Sequence, residues 1–328
     1  MFSDLLREFD RPNAPGISAM VIRAGKPVFA RSYGLADLDH QSPCTNRTNF
    51  RLASVTKQFT AMAILILADR GRLSLDECLA DLFPGFPAYG RAVTIRHLLT
   101  HTSGLIDYER IMPKNLKLAL NDLDVLRLLL RQRRTYFPPG ARFRYSNSGY
   151  ALLALAVEAR SDQTFSAFLR RNIFEPLGMR QTVAYQEGLA QIANRAYGYT
   201  KTQRGYEQTD QSLTSSVLGD GGIYSSVADL FKWDQALERE GLMRGKWLGM
   251  AFAPSIATPL PNTAYGMGWY ITPFKDTVQI WHSGNSVGFT SRITRFPQER
   301  LTLILLANRS RARLGGLTRR IAQRCLSR

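Results

Sequence analysis

Cysteine is scarce: Cys44, Cys78 and Cys325 are too few, too scattered and odd in number for a disulfide framework or a zinc site. Long apolar runs are missing as well. The longest, 61–68, falls far short of the roughly 20 residues of a membrane-spanning helix, so no such span is expected. Residues 1–9 carry acids where an export signal needs an apolar core. In this form the chain reads as cytoplasmic, and as periplasmic or secreted if a leader has been removed. No internal repeat or low-complexity segment is present.

Negative charge is also in short supply, with 26 acidic against 43 basic side chains and a net charge of +17. Such an excess invites a nucleic-acid reading, but its distribution opposes one. Arginine is spread along the chain, with concentrations at 127–134 and 309–328. The first alternates Leu123, Leu126, Leu129 and Leu130 with Arg127, Arg131, Arg133 and Arg134, the pattern of a helix with one solvated face. No nucleic-acid partner is expected, and the charge remains compatible with anionic substrates or cell-wall polymers.

What is there is an ordinary globular composition. With 328 residues and 45% hydrophobic content, the chain can bury a core for one large or two intimate domains. Segments 17–23 and 28–33 are β-rich and joined through Ala24-Gly25-Lys26-Pro27, which reads as a hairpin. Strand patterns return only at 268–273, 277–281, 289–296 and 301–307. Helical patterns dominate between, at 58–70, 125–134, 148–159 and 164–172, and a last helix is expected near 314–325. A sheet must then be assembled from both chain ends. Short consecutive loops make it antiparallel, and helices cover it. The expected division is an α/β region at 1–75 and 210–328 and a mainly helical region at 76–209, with a cleft between them.

Ser54-Val55-Thr56-Lys57 stands where an extended run, 49–53, gives way to a long helix closed by Gly71. Ser54 and Lys57 are three apart and share a face of the first turn. A serine hydroxyl is a poor nucleophile at neutral pH and needs a base. A lysine amine becomes one when burial beside the positive end of a helix dipole disfavours its ammonium. The tetrapeptide alone is weak evidence, since Ser54 could be a helix N-cap and Lys57 a solvated lysine. Two further elements follow. Tyr145-Ser146-Asn147 lies after the turn Phe137-Pro138-Pro139-Gly140 and opens an apolar helix, and His282-Ser283-Gly284 closes the strand at 277–281.

These three boxes resemble S-x-x-K, Y-[SA]-N and [KH]-[TS]-G of the serine β-lactamase and penicillin-binding-protein superfamily, in its class C-like branch. The resemblance extends to His97-Leu98-Leu99-Thr100-His101-Thr102-Ser103-Gly104-Leu105, Pro176-Leu177-Gly178-Met179, Gly221-Gly222-Ile223-Tyr224-Ser225-Ser226 and Tyr265-Gly266-Met267-Gly268-Trp269. It implies an α/β (α+β) β-lactamase/transpeptidase-like fold with an inserted helical region. Ser54 would be the acylating nucleophile, Lys57 its base and Tyr145 a proton shuttle whose phenol ionises more easily near a cation. Asn147 would orient Lys57 and meet a substrate carbonyl, or simply serve the helix N-terminus. The backbone N–H groups of Ser54 and Asn285 would form the oxyanion hole. His282, with Ser283 and Gly284, would lie along the substrate. Lysine commonly occupies the place of His282 in β-lactamases, and a histidine is mostly neutral at pH 7, which weakens the antibiotic reading.

Other patterns have structural explanations. Gly284-Asn285-Ser286-Val287-Gly288 fits G-x-S-x-G, but a strand rather than a helix follows Ser286. His97 and His101 are four apart, yet no glutamate follows His97 and the helix ends at Ser103-Gly104, so a structural role fits better than a metal. Tyr108, Tyr265 and Trp269 could line an acyl pocket or fill the core. The expected function is a serine hydrolase without metal or organic cofactor, acting as a carboxylesterase on short acyl esters. D-amino-acid peptidase, DD-peptidase and class C-like β-lactamase are the alternatives, with a small ester, D-peptide or lactam as the partner molecule. A non-catalytic ligand sensor of the same fold is the reading from another class. Oligomeric state is not legible.

Overall fold

The computed structural model describes residues 2–185, 192–238 and 241–327. Its main sheet has eight antiparallel strands in the order Ile256–Ala257, Ala264–Tyr265, Tyr270–Phe274, Thr277–Ser286, Phe289–Phe296, Leu301–Ala307, Ile17–Arg23 and Lys26–Tyr33. The chain ends meet as expected: Ile17 stands opposite Ala307 and Arg23 opposite Leu301. Leu301–Ala307 is buried throughout because both faces of the sheet are covered. Ile304 and Leu306 point to one core. Leu301, Leu303 and Leu305 point to the other, beneath the C-terminal helix Leu314–Leu326. That helix buries Leu314, Leu317, Ile321 and Ala322, a single stripe at helical spacing, and turns Arg319 and Arg320 outward.

The helix Lys57–Asp69 is buried on every side, from Lys57 to Ala68. It packs on the helix Asn147–Ser161, while the turn Ala53–Thr56 just before it lies against the strands Thr277–Ser286 and Phe289–Phe296. Burying each of its large aliphatic side chains contributes about 1.5–3 kcal/mol. A separate three-stranded sheet, Phe50–Arg51, Ile223–Ser225 and Val183–Ala184, holds the approach to that turn.

Several boundaries differ from the sequence expectation. The strand expected at 277–281 runs on to Ser286, so His282, Ser283 and Gly284 are ladder residues opposite Ile293, Arg292 and Ser291. The helix expected at 125–134 begins at Asp122, because the Asn121 side chain accepts the Asp124 N–H, and ends at Leu130. The one expected at 164–172 is α-helical only over Phe165–Leu169 and continues as a π-turn, Arg170–Phe174. Within 76–209, the hairpin Tyr199–Thr202 with Gly205–Gln208 adds β-structure, and 186–191 lies outside the described residues. Among the described residues no helix is long and apolar enough to cross a membrane.

Candidate active site

The approach to Ser54 is built by pairing Phe50 with Ser225 and Arg51 with Tyr224. The Leu52 N–H then donates to the Ile223 carbonyl at 2.8 Å. Ala53 takes φ 47°, a left-handed conformation that a β-carbon disfavours. Such strain costs on the order of 1–3 kcal/mol. The tight turn Ala53–Thr56 leaves Ser54 half-buried while Ala53 and Val55 are fully covered. From the other side the strand Thr277–Ser286 lies so close that a β-carbon at Gly284 would collide with the Leu52 carbonyl.

Lys57 is wholly buried, and its Nζ has three partners: Ser54 Oγ at 3.3 Å, Asn147 Oδ1 at 2.9 Å and the Asp220 carbonyl at 2.8 Å. Burial holds its pKa below that of a solvated lysine, against the opposing pull of Asp220, Asp107 and Glu109. A neutral amine has two N–H groups and one lone pair. Asn147 Oδ1 and the Asp220 carbonyl can only accept, so together they take both N–H groups and leave the lone pair for the Ser54 hydroxyl. Asn147 Nδ2 donates to Glu109 Oε1 at 3.0 Å, which fixes the amide with its oxygen toward Lys57. Ser146 rather than Asn147 caps the helix, accepting the Gly149 N–H at 3.1 Å.

Tyr145 is half-buried, with its ring centroid 4.9 Å from Lys57 Nζ and 4.2 Å from the His101 ring. Burial raises its phenol pKa, and hydrogen bonding with Ser54 pulls the other way without cancelling that rise. That direction runs against the expectation of an easily ionised phenol and favours the hydroxyl over the phenolate. His101 braces it from behind, Nδ1 accepting the Ser146 N–H at 3.1 Å.

His282 lies beside Tyr145, with ring centroids 6.2 Å apart. It is 1% exposed; its Nδ1–H donates to the Ser283 carbonyl at 2.8 Å, and Nε2 accepts from the Tyr265 hydroxyl at 3.1 Å. Burial, and then the nearby Lys57, push its pKa down to about 3, so the ring is neutral. A cavity of about 210 Å³ opens beside Ser54, walled by Arg51, Glu109, Asn147, Asp220 and Asn285. His282, Ser283 and Gly284 stand outside that wall, whereas Ser54 and Asn285 share it.

The Beta-lactamase family profile matches residues 2–325. The chain belongs to the β-lactamase family. It is 33% identical over 309 residues to penicillin-binding protein 4* of Bacillus subtilis, covering 89% of this chain and 68% of that one. Among solved structures, a penicillin-binding protein from Bacillus halodurans matches with TM-score 0.85 at 28% identity, over 98% of both chains. The D-amino acid amidase of Ochrobactrum anthropi, complexed with L-phenylalanine amide, matches with TM-score 0.83 at 25% identity, over 98% of this chain and 95% of that one.

Two residues of this β-lactamase-family site, Asp220 and Glu109, escaped the sequence reading, and Tyr108 has a role beyond the pocket wall considered for it. Asp220 sits in a turn, Leu218–Gly221, whose N–H groups at Leu218 and Gly219 donate to the buried Asp122 carboxylate at 2.9 and 3.0 Å. Its own carboxylate is buried, and burial raises its pKa against the pull of Lys57. The Tyr108 hydroxyl donates to Asp220 Oδ2 at 2.9 Å, which makes Tyr108 a brace rather than an acyl-pocket wall alone. Glu109 is exposed. An acid set among glycines, Gly219-Asp220-Gly221-Gly222, was the available signal: at Gly219 a β-carbon would collide with the Tyr150 carbonyl. His97 Nδ1 accepts the Thr94 N–H at 3.2 Å and completes the capping box of a short helix. Ser286 ends its strand, and the next strand begins at Phe289, as the sequence implied.

Proposed function

We propose that the protein is a serine hydrolase that forms an acyl-enzyme on Ser54 and acts on short esters and amides, favouring acyl groups that carry an ammonium. The observation that carries the reading is the partner set of Lys57: once the amine is neutral, its two N–H groups are taken by Asn147 and Asp220 and its lone pair is left for the Ser54 hydroxyl. Ser54 Oγ attacks the carbonyl carbon as its proton passes to Lys57, and the Ser54 and Asn285 N–H groups receive the developing oxyanion. The neutral Tyr145 hydroxyl hands a proton to the leaving group and recovers one from Lys57. Water then attacks the acyl-enzyme, Ser54 regains its proton, and the acid departs. The two proposed regions, 1–75 with 210–328 and 76–209, would contribute Ser54 with Asn285 and Tyr145 with Asn147 to the cleft between them.

Size and charge of the cavity favour small, amine-bearing acyl groups. About 210 Å³ accommodates an amino-acid-sized moiety rather than a long peptide, and the exposed Glu109 carboxylate lies in its wall. Similarity to a D-amino acid amidase supports the same preference. Neutral, buried His282 offers no fixed cation for a lactam carboxylate, which supports ranking β-lactamase activity behind ester and amide hydrolysis, although Arg51 also lines the cavity.

The test is a panel of D-phenylalanine p-nitroanilide, its N-acetyl derivative, p-nitrophenyl acetate and a chromogenic cephalosporin. Turnover that depends on Ser54, with kcat/KM for the free amine about tenfold or more above the acetylated form, is expected from a charge-assisted contact. Equal rates for the two anilides with fast p-nitrophenyl acetate hydrolysis would favour neutral esters. Absence of Ser54-dependent turnover throughout would overturn the enzyme reading in favour of a ligand-binding protein.

A further inference from the structure

A further cavity, about 1000 Å³, shares Asn285, Ser286 and Val287 with the cavity beside Ser54. One hairpin tip thus separates the two spaces and belongs to both. The rest of the lining comes from the segment after strand Leu301–Ala307 and from the hairpin at Tyr199–Thr202. Lys201, Arg309, Arg311 and Arg313 face it, with Glu8 the single carboxylate. Glu8 is already engaged by Arg309 at 3.1 Å. Arg311, Arg313 and Lys201 are exposed, and no salt bridge of theirs is found among the described residues.

The concentration of charge is held in place. Ser310 Oγ accepts the Gly288 N–H at 2.8 Å and lies 3.0 Å from Thr200 Oγ1, tying the basic segment to both hairpins. The Ser310 N–H donates to the Tyr199 carbonyl at 2.9 Å. Arg313 precedes the C-terminal helix, whose first turn has no side-chain cap, so the positive end of that helix adds to the field. Three cations in excess along one concave wall concentrate anions there well beyond the effect of the same charges spread over a surface.

We propose that this groove is an anion subsite for the part of the substrate remote from the scissile bond: a run of two or more carboxylates or phosphates. It rests on the Ser54 reading, because the groove serves catalysis only if acyl transfer takes place across the Asn285–Val287 tip. Ammonium recognition at Glu109 and anion recognition beyond Asn285 then orient a substrate of opposite charge at its two ends.

Binding and turnover separate the two claims. Calorimetry at low salt with tri-glutamate and with inorganic tripolyphosphate is applied to wild type, Ser54→Ala, the Arg311→Gln/Arg313→Gln double variant and an Arg319→Gln/Arg320→Gln control on the outer face of the same helix. In parallel, a short ester is compared with the same ester carrying tri-glutamate on its acyl half or on its leaving half. Wild type, Ser54→Ala and the outer-face control should bind the anion, and the groove variant should bind about tenfold or more weakly. One tagged ester should gain about tenfold in kcat/KM over the untagged one, a gain that salt and the groove variant abolish while the untagged rate is unchanged. The anion that binds, glutamate or polyphosphate, identifies the carboxylate or the phosphate source. No binding by wild type, equal loss in the outer-face control, or identical rates for tagged and untagged esters would overturn the proposal. Failure of every ester with anion binding intact would overturn the Ser54 reading and leave an anion-binding groove without a catalytic role.

Discussion

Lys57 and Asn147 are 90 residues apart in the chain and 2.9 Å apart in the fold. Their contact joins the helix that begins at Lys57 to the helix that begins at Asn147, and each residue stands in the first turn of its own helix. The amide oxygen faces the amine because its nitrogen is occupied by Glu109. Lys57 is therefore oriented as well as buried, and orientation separates a base from a trapped charge.

Replacing Lys57 with Ala should lower the acylation rate by roughly 10²–10⁴-fold, the usual contribution of a positioned base. Wild-type kcat/KM should rise with pH as Lys57 loses its proton, with a midpoint below that of a solvated lysine, since burial disfavours the ammonium. The residual activity of Lys57→Ala should lack that limb. Stopped-flow acylation against pH checks both statements, and an unchanged limb in the variant would remove Lys57 from the role.

His282 makes a stability prediction whose sign follows from its depressed pKa. Below about 6.5 the unfolded chain protonates this ring, whereas the folded protein resists until about 3. The unfolded state then binds more protons, so the His282 contribution falls as pH drops through this window, by at most about 1.4 kcal/mol per pH unit. Denaturant unfolding of wild type and His282→Gln between pH 7 and 3 should show the shallower decline in the variant. Parallel declines would mean that the ring titrates in the folded state.

Glu109→Gln keeps an acceptor oxygen for Asn147 Nδ2 and removes the charge from the cavity wall. KM for an amine-bearing acyl donor should rise by about tenfold or more, with little change for a neutral ester of the same size. Equal effects on both substrates would assign Glu109 to positioning Asn147 alone.

Gly284→Ala should be among the most damaging single substitutions, because its methyl would collide with the Leu52 carbonyl and Ala53. Overpacking of this kind costs about 1–3 kcal/mol, and here it would also push the strand away from the Ser54 turn. Thermal unfolding and Ser54 acylation should both suffer. A variant with native melting temperature and native rate would contradict the close approach.

The parts of this site legible in the sequence are those confined to one turn of chain. Ser54 with Lys57, and Tyr145 with Asn147, each sit within a few residues of one another, so helical spacing reveals them. Asp220, Glu109 and Tyr108 join the site only through tertiary contacts, Asp220 by way of a turn held by Asp122, 98 residues earlier in the chain, and no local period marks them. The long strand outruns its expected end at 281 for a related reason. Gly284 lies within the continued strand, where the Leu52 backbone passes within contact distance. The box His282-Ser283-Gly284 is legible in the sequence, but the inward turn of His282 toward the Tyr265 hydroxyl is set by strand alternation and a tertiary contact. The antiparallel sheet from both chain ends was readable because the buried strand Leu301–Ala307 is nearly all aliphatic and the N-terminal hairpin needs a partner.

The central claim is that Ser54 becomes covalently acylated. Intact-protein mass spectrometry of wild type and Ser54→Ala after brief exposure to a fluorophosphonate and to D-phenylalanine p-nitrophenyl ester, followed by peptide mapping, tests it directly. One adduct per chain on the peptide containing Ser54, absent from Ser54→Ala, is the predicted result. The variant should also melt within about 2–4 °C of wild type, since it loses one hydroxyl contact worth about 1 kcal/mol. An adduct on another residue, or one that persists in Ser54→Ala, would contradict the account.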